Sequence, residues 1–136
     1  MGVFEAFEKD VMNAILSESS NELAPIIFQQ YRSSSVISRE FTGVGFYTNF
    51  QLHDESLRLK SDDYLRLGNI YAEVNGLKYG AGFLLLVKKG AIFHLEGHSY
   101  EEEWPVNITD YKLSKINPDG SLSQWDEVGG CFVSHT

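Results

Sequence analysis

The spacing of apolar positions changes period once along this chain. From Val3 to Leu16, Phe4, Phe7, Val11 and Ile15 recur at intervals of three and four, which predicts a helix with one apolar stripe. Glu5, Glu8, Lys9 and Asp10 fall mostly off that stripe. The small polar residues Ser17 to Asn21 break the pattern. A second helix is expected over 22–32, buried through Leu23, Ile26, Ile27 and Tyr31, with Pro25 in its first turn, where a missing N–H costs little. From Val36 the period becomes two. Strands are expected over 36–41, 44–52, 64–74, 83–87, 91–96 and 106–116, with a short one carrying Trp125 within 121–128. The implied architecture is one α+β domain over 1–136: a helical hairpin (1–35) packed on a curved, mainly antiparallel sheet of about six strands (36–136).

The centre of that sheet is the run from Gly80 to Pro105. Phe83 to Val87 suits a buried strand, and Lys88-Lys89-Gly90 supplies a tight turn. In the strand that follows, alternation places Ala91, Phe93 and Leu95 on a core face and Ile92, His94 and Glu96 on the other. Gly97 is expected to mark a bulge. Asn75-Gly76 is expected to form a two-residue type I′ hairpin, and Asn117-Pro118-Asp119-Gly120 a turn.

Composition narrows the picture. The 136 residues are 43% hydrophobic, enough to build a core without a metal or disulfide staple. Cys131 is the single cysteine and has no intramolecular partner, which fits a reducing compartment. No signal peptide or long apolar run is read, so a cytoplasmic protein away from membranes is expected. The formal charge of −8 disfavours nucleic-acid phosphates and favours a basic partner, the ordinary alternative being acidity that only keeps a small domain in solution.

Three groups of residues could carry chemistry. His94, Glu96 and His98 point the same way if the strand runs straight, spaced by about 6.5 to 7 Å. Imidazoles and a carboxylate suit zinc or a similar divalent metal, with Glu101, Glu102 or Glu103 as a further ligand. The ordinary alternative is a polar edge-strand face. Arg39 and Glu40 lie on opposite sides of one strand. A buried charge there needs a partner, for which Glu96 or Glu73 is the expected answer to Arg39. Finally, Tyr100, Glu101, Glu102, Glu103 and Trp104 join charge to aromatic anchors, a combination suited to binding a basic protein. The alternative there is a solvated turn whose Trp104-Pro105 packs on the core. No GxSxG elbow or phosphate-cradling glycine loop is present.

The segments Arg39 to Phe46, Leu95 to Tyr100 and Trp104-Pro105 resemble, in that order, the GVGF, LEGxxY and WP segments of a group of small bacterial proteins of uncharacterised function. The resemblance spans 36–105 and includes a GxGF-type strand. It extends to the general style of immunity proteins from toxin–immunity pairs and implies no catalytic residues. The expectation is therefore a small acidic binding protein without catalytic activity, neutralising a basic partner such as a toxin domain. A metal- or small-molecule-binding protein using the His/Glu group on the concave sheet face is one alternative. A homodimer, paired through an edge strand or the tail 129–136, is the other.

Overall fold

The apolar stripes become two helices, α1 (Val3–Glu18) and α2 (Ala24–Arg32). The computed structural model describes residues 3–18, 22–60, 64–117, 119–126 and 131–134. Residues 19–21 of the expected break, residues 61–63, Pro118 of the expected turn, 127–128 of the expected short strand and the ends of the tail 129–136 lie outside them, while α1 continues through Ser17 and Glu18, where the break was expected to begin. Phe7, Val11, Met12, Ala14, Ile15 and Leu16 of α1 are buried, as the spacing requires. Glu8 is buried with them, against the expectation that it lies off the stripe. In α2 the buried face is rotated from the expected one. Ala24, Ile27 and Gln30 are inside, and Ile26 is exposed. The rotation is sustained because the Gln30 amide finds partners at every polar atom.

The strands are β1 (Ser34–Phe41), β2 (Gly45–Leu52), β3 (Leu65–Val74), β4 (Ala81–Lys88), β5 (Ala91–Ser99), β6 (Tyr111–Ile116), β7 (Leu122–Asp126) and β8 (Cys131–Ser134). They form one sheet in the order β1-β2-β5-β4-β3-β6-β7-β8, with every adjacent pair antiparallel. Eight strands replace the expected sheet of about six: seven of them fall on the seven runs read from the sequence, and one is new. The added strand is the tail, where Cys131–Ser134 pairs with β7. Four residues give too few alternations to announce a strand without sight of the partner. The sheet does not close, and β1 and β8 are its edges.

Both helices pack on one sheet face. Phe7 meets Phe83 and Phe4 meets Phe46 at ring distances of 5.6 and 5.0 Å. Leu67, Ile70, Leu85, Val87, Ile92 and Leu95 complete that layer. Each such side chain contributes about 1.5–3 kcal/mol of burial free energy.

Two local features differ from simple alternation. Leu86 pairs with His94 and Val87 with Ile92, so Phe93 is an extra residue on β5. That bulge sends Phe93 outward, 39% exposed, and turns Ile92 into the core. Gly97, by contrast, is in regular register between Phe46 and Phe83. It is the seat of a ring: a Cβ there would stand 2.2 Å from Phe46 Cε1. The primed turn lies at Lys89-Gly90, where both φ values are positive (52° and 80°). The Asn75-Gly76 segment is a wider connection, because β4 resumes pairing only at Ala81, opposite Ala72.

Candidate functional site

The histidine row follows from the register of β5. His94 sits between Asn49 and Leu86, Glu96 between Tyr47 and Leu84, and His98 between Gly45 and Gly82. All three are half-buried on the sheet face away from the helices. They are spread along the strand rather than gathered. Among the described residues, no group of three or more His, Cys, Asp and Glu side chains could hold a metal ion. Each has local company instead. The Tyr47 hydroxyl donates to Glu96 at 3.4 Å, and its ring meets that of His94 at 5.0 Å. His98 lies edge-on to Tyr100 at 5.5 Å, and both rings cover Gly82. Burial pushes the His94 imidazole below its ordinary value, against the upward pull of Glu96 and Glu40. The charge of Glu96 pushes the Tyr47 phenol up.

Arg39 does not pair with Glu96 or Glu73. It faces the helices and holds Glu8 through two bonds, Nε at 3.0 Å and Nη2 at 2.9 Å. Thr48 donates to the same carboxylate. The guanidinium also lies 5.7 Å from the Phe4 ring centre, and Glu5 is a distant partner at 3.9 Å. This is a buried carboxylate fully answered by its neighbours, a structural clamp between α1, β1 and β2.

Gln30 plays the same part at the other end of the sheet. Its amide donates to Leu57 O at 2.8 Å and Gly90 O at 2.9 Å, and accepts from Ile92 N at 2.8 Å. One side chain thereby ties α2 to the β4–β5 turn and to the 3-10 turn Glu55–Leu57.

The acidic loop is held at both ends and in the middle. Ser99 N donates to Val44 O at 2.8 Å, and Trp104 N to Gly43 O at 2.7 Å. The Ser99 hydroxyl donates to Glu102 O. The Glu102 carboxylate accepts from Lys78 N at 2.9 Å and Tyr79 N at 3.0 Å, closing the loop against the β3–β4 connection. Trp104 is only 8% exposed and packs on Phe46 at 5.3 Å. Its ring therefore belongs to the core, and Glu102 is occupied by backbone amides. Tyr100 (44% exposed), Glu101 and Glu103 face solvent.

Around this loop lie apolar side chains that the alternation pattern had placed within strands. Phe41 is 60% exposed, Val44 47% and Val106 97%. Val44 precedes β2, and Val106 lies in the irregular segment before β6. Their signal in the sequence was position: a valine between two glycines and a valine directly after Trp-Pro, both at turns rather than in ladders. A groove of about 300 Å³ opens here, lined by Phe4, Glu5, Phe41, Trp104, Val106 and Ile108 among others. A larger groove, about 640 Å³, lies at the β3–β6 side of the same end. Lys78 and Lys112 balance Glu73 and Asp110 there, so it carries no net charge from its lining.

Comparison with known proteins leaves this geometry to stand by itself: no family model, curated protein or solved structure matches the chain. Among the described residues no helix is long and apolar enough to cross a membrane.

Proposed function

We propose that this is a binding protein without catalytic activity, which docks a basic protein partner through the end of the sheet built from the β1–β2 turn and the 99–106 loop. A toxin domain neutralised by this chain is the concrete form of the reading. The observation that carries it is the combination of a pinned backbone with an outward-facing set of side chains. Ser99, Glu102 and Trp104 fix the loop through five hydrogen bonds. Tyr100, Glu101, Glu103, Phe41, Val44 and Val106 are left to solvent. Apolar side chains exposed together are the usual mark of an interaction surface. A loop already ordered before binding loses little conformational entropy when it docks. The −8 net charge steers a cationic partner toward the molecule.

The reading is tested by comparing basic proteins bound by the wild type and by a Glu101→Lys/Glu103→Lys variant, at low and high salt. The expected result is association that weakens with salt and drops at least tenfold in the variant, a difference of about 1.4 kcal/mol. Equal retention by both proteins would show that the loop is not the docking surface.

A further inference from the structure

The groove beside the loop has a composition of its own. Phe4 and Phe41 meet edge-to-face at 5.4 Å and line it together with Trp104. Val106, Ile108 and the carboxylate-bearing Glu5 line it too. Aromatic faces attract cations through their quadrupole, and a carboxylate beside them adds a full charge. The chain already uses this chemistry once, since Arg39 lies over Phe4 while it binds Glu8. Glu5 is less committed. Its one ion pair among the described residues is the 3.9 Å approach to Arg39, and its side chain is 44% exposed.

We infer that this groove takes an arginine or lysine side chain of the partner protein, its aliphatic stem against Phe41 and Val106 and its cationic head on Glu5. The inference rests on the reading of this end as the docking surface for a basic protein, and it names the anchor of that contact. The fit follows from the amphipathic build of these side chains. A long apolar stem suits an apolar lining, and a charged tip suits the exposed carboxylate that the same lining includes. The acidic Glu101 and Glu103 directly precede the groove residues Trp104 and Val106 in the chain and would guide the encounter, whereas the groove would hold the bound state.

The probe is the capped tripeptide acetyl-Leu-Arg-Leu-amide, titrated into isotopically labelled protein and followed by NMR. A citrulline version keeps the shape and removes the charge. The expected result is saturable shifts of the Phe4, Phe41 and Val106 signals at millimolar peptide. The citrulline peptide and the Glu5→Gln variant should each weaken binding at least fivefold. Phe41→Ala, at a largely exposed position, should weaken it without unfolding the protein. Equal binding of the charged and neutral peptides would reduce the site to a plain apolar trough and overturn the inference. So would an absence of shifts at these residues. A self-associated protein, made monomeric by Val106→Asp in light scattering, would assign the groove to a second copy instead. The two readings fail separately. Loss of basic-protein binding in the Glu101→Lys/Glu103→Lys variant, with no peptide response, removes only the groove. A peptide response, with no effect of the charge reversal on a basic partner, removes only the loop.

Discussion

Replacing Glu102 with alanine separates a residue that builds the surface from residues that would touch a partner. The carboxylate accepts two backbone N–H groups, from Lys78 and Tyr79, at 2.9 and 3.0 Å. Hydrogen bonds to charged groups contribute about 1.5–3 kcal/mol each when shielded. Glu102 is half-buried and its donors are exposed, so water replaces part of what is lost. The expected cost therefore falls below that range, about 1–2 kcal/mol for the pair. Glu101→Ala and Glu103→Ala remove exposed carboxylates and should each stay within about 0.5 kcal/mol. Urea denaturation gives the three stabilities, and amide hydrogen exchange gives the local effect. Lys78 and Tyr79 should lose about tenfold in protection in Glu102→Ala, the equivalent of 1.4 kcal/mol. Glu102→Gln, which keeps one acceptor oxygen, should fall between. If all three alanine variants cost the same, or if exchange at Lys78 and Tyr79 is unchanged, Glu102 is not the pin of this loop.

Other consequences follow from the buried groups. Gln30→Leu keeps the volume but orphans the Ile92 N–H and the Leu57 carbonyl, at about 1–3 kcal/mol each, so a loss near 3 kcal/mol is expected in urea denaturation; a loss under about 1 kcal/mol would deny Gln30 its role. Gly97→Ala puts a methyl 2.2 Å from the Phe46 ring and should cost at least about 1–3 kcal/mol by overpacking, visible as a lower melting temperature; an unchanged melting temperature would mean that the ring moves aside freely. Burial pushes the Tyr31 phenol up to about 12, with the Glu8 charge adding and Arg39 opposing. The phenol is neutral in both states below its ordinary value of 10.0, and above it the unfolded chain ionises first, so stability should fall between pH 10 and about 12. Tyr31→Phe should flatten that fall in urea midpoints taken across the window, and an identical slope would contradict the placement of this hydroxyl.

The coarse fold was legible because period and composition report burial directly. The stripe of Phe7, Val11 and Ile15 and the alternation of Ile70, Ala72 and Val74 both became core. What escaped the pattern depended on partners distant in sequence. Phe93 left the core through a single extra residue on β5, and no local feature distinguishes a bulge there from regular alternation. Arg39 found Glu8, 31 positions away, because the folded chain brings the α1 side chain within reach of β1. Gln30 is buried for the same kind of reason, since its acceptors and donor come from the 3-10 turn and the β4–β5 hairpin. At the candidate site, the exposed members Tyr100, Glu101 and Glu103 could be picked from residue type alone. Trp104 and Glu102 carry the same chemistry but are spent on the core and on two amides, which only the folded loop reveals. Phe41, Val44 and Val106 were hidden because apolar residues are read as core by default.

The most direct measurement is an amide shift map of the labelled protein, with and without the basic protein that the wild type retains at low salt. Shifts concentrated at 41–45 and 99–106, and absent from the face carrying His94 and Glu96, are the expected outcome. Shifts centred on Tyr47, His94 and Leu86, or the failure of any basic protein to be retained, would contradict docking through this end of the sheet.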